Sequence, residues 1–417
     1  MHDSSSIKKN VRTIVIARAA FRGFTSLAFL LTYRYFTKDQ QGILDTALTW
    51  TNAVMTLSDL GMSTLLVKHT SQKHDDANIY FGNALVVQTV MSLLIWIGLL
   101  VTASIVGFTP QRILLLALVG AAGLIFEWRK VIRAILRAQM RMNEISIVET
   151  LNGLFFVIAI ASIFLFISDR SVGLISFGVS QLAVNIFSIA LLFWYARRRL
   201  TPHVDLKKIT SMLRESVHFT LYNTFEMIYV QVDLILLSIL RSTEVVATYG
   251  GAAKIVNLFL FIPTTIYQVL LPALYSAAKH DEHRFRQLSL RTIAGFGSIG
   301  ISSAMVFVLF SDPLVPWILG DKYHDTIPVM QWLAIFLGLR FFSIPLTNIL
   351  LAKDYQKVVA YSQIGTVAVN IILDLILIPR FGAVGPAIAT AIVETGNIFI
   401  LSLLAWKLIF RQKNGSV

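Results

Sequence analysis

The sequence predicts an all-α, polytopic membrane protein. Two observations support this fold class. Of the 417 residues, 56% are hydrophobic and only 14% are charged. Apolar runs of about 20 residues, long enough to cross a hydrocarbon core of ~30 Å, recur from one end of the chain to the other. A backbone in lipid must satisfy its own hydrogen bonds, so these runs are predicted to be helices.

About twelve runs have the required length. The first follows the polar start MHDSSSIKKN; it is too long and too rich in arginine for a signal peptide, so we expect it to be retained. The predicted spans are 11–33, 43–68, 80–107, 112–137, 146–167, 172–196, 215–240, 246–275, 289–311, 327–351, 358–378 and 384–409.

The positive charges predict the orientation. Most of the 36 lysines and arginines lie at the N-terminus, at the C-terminus and in the connections that follow even-numbered spans. By the positive-inside rule, both termini are expected to be cytoplasmic. The basic connection at 197–212 is interpreted as a topology anchor beside anionic membrane lipids, and not as a nucleic-acid site.

The basic residues near span ends are counted with the connections, Arg129 and Arg133 at the end of span 4 among them. Four basic residues then remain inside the spans: Arg18, Arg22, Lys254 and Arg340. A charge near the middle of a membrane helix costs about 2.5–3.5 kcal/mol on insertion scales, so such residues generally face a bundle interior or a water-filled cavity. They are candidates for binding an anionic substrate. The alternatives are snorkelling to the interface or a buried ion pair with one of the acidic residues that also lie inside spans.

The chain shows signs of an internal repeat. Ile135-Leu136-Arg137-Ala138 closes span 4, and Ile349-Leu350-Leu351-Ala352 closes span 10. Six spans on each side of the basic connection predict two parallel lobes, 1–196 and 213–417, joined by the linker 197–212 around a central cavity. Gly250-Gly251, Pro263 and Pro345 are candidate bends for alternating access.

Several segments resemble the Wzx-type polysaccharide flippases of the MOP exporter superfamily, in an order that covers nearly the whole chain. They are LSDLGMSTLLVKH, ATYGGAAKIVNLFLFIPTTIYQVLLPALYS, DPLVPWILGDKYHDTIPVMQWLAIFLGLR and FGAVGPAIATAIVET. The resemblance implies a MATE-like fold of two six-helix lobes and a flippase for undecaprenyl-diphosphate-linked oligosaccharide. The partners it implies are that lipid-linked substrate, membrane lipids, and the glycosyltransferases and polymerase of the same pathway.

The resemblance also implies roles for particular residues. Related lipid II flippases carry cationic residues in the first and eighth spans, which Arg18, Arg22 and Lys254 match. Guanidinium groups pair bidentately with phosphate or carboxylate oxygens. Energy is expected to come from an ion gradient, because the chain has no G-x-x-x-x-G-K-[ST] motif for ATP.

A sodium site known from some lipid II flippases has matching positions here at Asp233, Asn370, Asp374 and Thr390. Asn370 and Asp374 share one helix face, and their oxygens suit a hard cation. A polar packing cluster or an Asp–Arg pair is the alternative. His218 is a candidate proton carrier. No further metal or cofactor is expected.

Two other functions compete with the flippase. A MATE-type exporter of cationic drugs would share the fold, but it would need carboxylates in the first lobe, where span 1 offers arginines. A polysaccharide polymerase or membrane glycosyltransferase would need a large outer loop or a catalytic domain, and the predicted connections are short. The chain has no cysteine and no convergent serine–histidine–acid pattern, so we expect no enzyme and no catalytic residues.

Overall fold

The computed structural model describes the backbone of residues 4–72, 77–139, 141–197 and 202–410, without the side chains of 4–19, 71–72, 77, 217–228, 265, 268–269, 272 and 408–410. Every element in these ranges is helical. The α-helices are α1 (Ser4–Tyr35), α2 (Lys38–Thr56), α3 (Met62–Gln72), α4 (Ala77–Ile105), α5 (Pro110–Ala138), α6 (Met142–Phe166), α7 (Arg170–Ala196), α8 (Leu206–Leu240), α9 (Thr243–His280), α10 (Glu282–Leu319), α11 (Ile327–Ala352), α12 (Gln356–Phe381) and α13 (Val384–Phe410).

These helices agree with the predicted spans, and the all-α membrane fold class is confirmed. Within the described part of the chain, nine helices, α4 to α7 and α9 to α13, are long and apolar enough to cross a membrane. The other three predicted spans correspond to α1, to α2 with α3, and to α8. The protein is therefore a multi-pass membrane protein.

The second predicted span is broken, which the sequence did not predict. A 3₁₀ turn at Leu57–Asp59 separates α2 from α3. Leu60 and Gly61 follow it with φ of 43° and 71°, a left-handed conformation that glycine adopts easily and leucine rarely does. In contrast, α9 runs without interruption past Gly250-Gly251 and Pro263, and α11 past Pro345.

The chain divides into two compact units, unit 1 (Met1–Gln231) and unit 2 (Val232–Val417), and the division falls within α8. The predicted lobe boundaries, 1–196 and 213–417, remain predictions. In unit 1, α5 packs on α2, α3, α4 and α7; in unit 2, α11 packs on α9, α10 and α13. The two helices that end in the repeated motif, at Ala138 and Ala352, are thus the central helices of their units.

Part of the predicted linker is fixed to α4 in unit 1. The His203 backbone N–H donates to the Asn78 carbonyl at 3.1 Å. The Asn83 side-chain amide donates to the Asp205 carbonyl at 2.9 Å and accepts from the Asp205 N–H at 2.9 Å. This close approach requires glycine at position 82, because a Cβ there would lie 2.2 Å from the His203 carbonyl oxygen.

Candidate functional site

The four residues predicted to bind a cation lie together in unit 2. Asp233 is on α8, Asn370 and Asp374 are one turn apart on α12, and Thr390 is on α13; all four side chains are buried. The Thr390 hydroxyl lies 3.0 Å from Asp233 Oδ2 and 2.8 Å from the Pro386 carbonyl oxygen, so both oxygens are within reach of its one hydrogen. Asp374 and Asn370 also lie beside the Asp233 carboxyl group, but neither the Asp374 oxygens nor the Asn370 amide nitrogen has a hydrogen-bond partner among the described groups. Residues more than 130 positions apart thus form one cluster, which we call the acidic cluster.

Tyr249 is a fifth member of the acidic cluster, and sequence reasoning missed it. Its buried hydroxyl donates to Asp233 Oδ2, the same oxygen that lies within reach of the Thr390 hydroxyl. Tyr249 is on α9, so four helices contribute to the cluster. A tyrosine among apolar residues of a membrane helix carries no pattern that predicts such a contact.

Several carboxylate oxygens of the acidic cluster accept no hydrogen bond from the described groups. Asp233 Oδ1 and both carboxylate oxygens of Asp374 have no hydrogen-bond donor among the described groups, although Asp374 is 0% exposed. Leaving buried carboxylate oxygens without partners is expensive. Carboxylate, amide and hydroxyl oxygens are ligands that hard monovalent and divalent cations prefer. The arrangement therefore fits a cation chemically.

Arg340 does not serve as the partner of Asp374 in this structure. Its Nη1 lies 3.3 Å from Oε1 of Glu394, a fully buried carboxylate on α13. Lys254, five residues after Tyr249 on α9, is half-buried. Arg22 is exposed near the middle of α1 in unit 1. The side chains of Arg18 and of His218 lie outside the described residues.

Unit 1 contains a separate network of buried charges. Arg129 on α5 is 1% exposed and donates to Asn185 Oδ1 at 2.6 Å and to Glu149 Oε1 at 3.0 Å. Arg133 lies 2.8 Å from the same Glu149 oxygen. The sequence placed these arginines among the cytoplasmic topology anchors; burial shows that Arg129 also holds α5 to α6 and α7.

Polar side chains also surround the break between α2 and α3. The buried Gln88 amide on α4 donates to Ser58 Oγ at 2.7 Å and to Glu127 Oε2 at 3.2 Å. Glu127 in turn pairs with Lys130 at 2.6 Å. These contacts stabilise a non-helical backbone inside the unit, which membrane proteins tolerate where protein groups surround it.

Solved structures of two transporter families share this fold. An inward-facing multidrug-resistance MATE transporter of the MOP superfamily superposes with a TM-score of 0.75 at 14% identity, covering 95% of this chain and 96% of that one. The lipid II flippase MurJ, in an inward closed conformation, gives a TM-score of 0.73 at 13% identity, covering 97% of this chain and 93% of that one. The chain therefore has the fold of the MOP superfamily.

Sequence comparison identifies the family. The lipopolysaccharide biosynthesis protein WzxC of Escherichia coli (strain K12) is 19% identical over 361 residues, which are 82% of this chain and 68% of WzxC. Residues 31–328 match the family described as polysaccharide biosynthesis protein. That match covers well over half of the chain and confirms the resemblance inferred from the sequence: this protein belongs to the polysaccharide biosynthesis protein family of MOP-fold membrane proteins.

Proposed function

We propose that this protein is a flippase that moves an undecaprenyl-diphosphate-linked oligosaccharide from the inner to the outer leaflet of the cytoplasmic membrane. Membership of the polysaccharide biosynthesis family is the observation that carries the proposal. The relatives with a named role support it, since they include a lipopolysaccharide biosynthesis protein and a lipid II flippase. We propose alternating access as the mechanism and no catalytic step.

The basic residues inside the spans supply the chemistry for an anionic headgroup. Arg22 lies ten residues beyond Arg12, about 15 Å along the helix axis, and its side chain is exposed. A guanidinium group can make two parallel hydrogen bonds to a phosphate, which favours Arg22 as a headgroup contact. Arg18, Lys254 and Arg340 are proposed to assist, the last while it also contacts Glu394.

The acidic cluster is proposed to couple transport to a cation gradient. Its two carboxylates, Asp233 and Asp374, with Asn370 and Thr390, suit sodium, and a proton is the alternative. The sodium proposal rests on the acceptor oxygens that lack donors among the described groups. Orientation is part of the proposal: both termini are cytoplasmic, and a compartment-sensitive reporter fused after Arg199 would show cytoplasmic activity, whereas one fused after Asp169 would not.

Complementation of a strain that lacks the gene tests the flippase. Arg22→Ala should abolish surface polysaccharide while protein abundance in the membrane stays nearly unchanged. Arg22→Lys should keep part of the activity, since lysine retains the positive charge but lacks the planar guanidinium group. Arg22→Glu should be at least as harmful as Arg22→Ala. Arg291→Ala, which removes an exposed arginine of α10, is the matched control and should export normally. Normal export by Arg22→Ala would contradict the proposed role.

One observation favours a second candidate, a MATE-type exporter coupled to cations. Asp45 on α2 is buried in unit 1 and accepts hydrogen bonds from Tyr33 at 2.6 Å and from Gln41 at 3.1 Å. Such an exporter requires a carboxylate in the first lobe, and Asp45 supplies one. Resistance of a drug-sensitive strain to cationic compounds, lost with Asp45→Asn while polysaccharide is unaffected, would favour this function over the flippase.

A further inference from the structure

Tyr249 links the acidic cluster to a helix that otherwise has no part in it. The described side chains that lie against Asp233 of α8 come from α9, α12 and α13, and Tyr249 is the member from α9. Helix α9 also carries Lys254, five residues later, which is about 7.5 Å along the axis. A contact at Tyr249 therefore connects the proposed ion site to a helix that bears a proposed substrate contact.

The chemistry of this contact depends on the state of Asp233. A hydroxyl that donates to an ionised carboxylate makes a charge-assisted hydrogen bond, which is stronger than a neutral one and stronger still in a low-dielectric interior. Tyr249 donates to Oδ2, which also lies within reach of the Thr390 hydroxyl, and Oδ1 has no donor among the described groups. A cation bound at Oδ1 would draw negative charge away from Oδ2 and weaken the bond to Tyr249.

The backbone around Tyr249 is arranged so that such a change would affect the rest of α9. Just before Tyr249, Thr248 has a contact outside the helix, because its carbonyl accepts from the Thr326 hydroxyl at 3.2 Å. The Thr248 hydroxyl lies 2.9 Å from the Glu244 carbonyl oxygen in α9 and 3.3 Å from Asp325 Oδ2. Just after Tyr249 come Gly250 and Gly251, and glycine weakens a helix by about 1 kcal/mol relative to alanine. Contacts outside α9 therefore hold the backbone at Thr248, and the two glycines lower the cost of a conformational change in the turns that follow.

We propose that Tyr249 is a positioning residue that couples occupancy of the acidic cluster to the conformation of α9 beyond Gly250-Gly251. This inference rests on the proposed cation coupling and extends it to the substrate side of unit 2. By linkage, a cation that changes the position of Lys254 changes substrate affinity, and the substrate changes cation affinity by the same factor.

The absence of cysteine in the chain allows a direct test. Asn257, which is exposed on α9 and lies beyond Lys254, is replaced by cysteine and labelled with a nitroxide in the purified full-length protein. Sodium chloride is titrated against choline chloride at constant ionic strength. Spectral mobility of the label reports α9, and the shift in thermal unfolding temperature reports sodium binding. The same two measurements are made with Tyr249→Phe and, as a second variant without the hydroxyl, Tyr249→Leu.

The expected result is that sodium shifts both signals in the native background, whereas Tyr249→Phe keeps the thermal shift and loses the spectral change. Thr390→Val is the matched control, since it removes the other hydroxyl beside the same oxygen but lies on α13; it should need more sodium and still show the spectral change at saturation. A spectral change that persists in both Tyr249 variants, or that is absent from the native background despite a thermal shift, would overturn the inference. Absence of any thermal shift in the native background would instead refute the cation coupling itself.

Discussion

In unit 1, the buried guanidinium of Arg129 lies between Glu149 and Asn185, whereas in unit 2 the equally buried carboxylate of Asp374 has no donor on either oxygen among the described groups. The two units pack their helices in a related way around α5 and α11. Their buried charges nevertheless differ: Arg129 in unit 1 and Glu394 in unit 2 each lie beside a side chain of opposite charge, whereas Asp374 in unit 2 has no hydrogen-bond donor among the described groups. The difference teaches that two units of similar helix packing can treat a buried charge differently: Arg129 links α5 to α6 and α7, whereas the oxygens of Asp374 have no such contact among the described groups.

The largest effect is expected from breaking the pair in unit 1. Glu149→Ala would leave Arg129 buried without its carboxylate, and removal of one partner of a buried pair costs about 3–5 kcal/mol. Thermal unfolding and the yield of monodisperse protein measure the loss. Glu144→Ala is the control, because its pair with Arg141 is 22–24% exposed and should be worth at most about 1 kcal/mol. Equal losses of stability in Glu149→Ala and Glu144→Ala would contradict the distinction between the buried pair and the partly exposed one.

Removal of the Asp374 carboxylate in unit 2 should stabilise the protein, whereas removal of Glu149 in unit 1 should destabilise it. Without sodium, Asp374→Asn should raise the unfolding temperature by an amount equivalent to about 1–3 kcal/mol, because it replaces a buried carboxylate that lacks donors with a neutral amide. The same variant should lose sodium-dependent transport and sodium-induced stabilisation. Asp169→Asn, at the N-terminus of α7, is a control that should keep the sodium response. A destabilised Asp374→Asn protein that still responds to sodium would show that the acidic cluster is a packing element.

The smallest effect is expected at the ion pair within unit 2. Glu394→Gln removes the charge but keeps the shape, and Arg340 is 26% exposed, so its guanidinium can retain water. For Glu394→Gln we expect a loss of at most about 1–2 kcal/mol, because no buried charge is left without its partner. The sodium response should be unchanged in this variant and in Arg340→Ala. If either substitution abolished the sodium response, Arg340 and Glu394 would belong to the ion site. The ion pair of unit 2 would then differ in role from the buried pair of Arg129 and Glu149 in unit 1.

Hydropathy was sufficient to predict the class, because length and apolar composition decide whether a helix can cross a membrane. The repeated motif also predicted equivalent helix ends, at Ala138 and Ala352. The break at Leu60-Gly61 could not be predicted in the same way. A single glycine is common in membrane helices, and a leucine in the left-handed region depends on surrounding contacts such as Ser58 with Gln88.

The candidate site was partly visible in the sequence. Asn370 and Asp374 interrupt an apolar helix at a spacing of one turn, which indicates a shared polar face. Asn370 and Asp374 are far from Asp233 along the sequence and lie on a different helix from Thr390. Only the resemblance to a family therefore suggested that the four residues form a common site. Tyr249 remained invisible because an aromatic side chain suits a membrane helix whether or not its hydroxyl has a partner.

The contact of Gly82 with His203 has a consequence for tolerance to mutation. Every L-amino acid other than glycine would place a Cβ against the His203 carbonyl, so even alanine must push the 203–205 segment off α4 and break the reciprocal bonds with Asn83. In a saturation-mutagenesis screen for export, position 82 should therefore reject all nineteen replacements, although Gly98 on the same helix has open space beside it and should accept alanine. A glycine-to-alanine change, usually mild in a helix, would here detach the connection between the two halves of the chain from the body of unit 1.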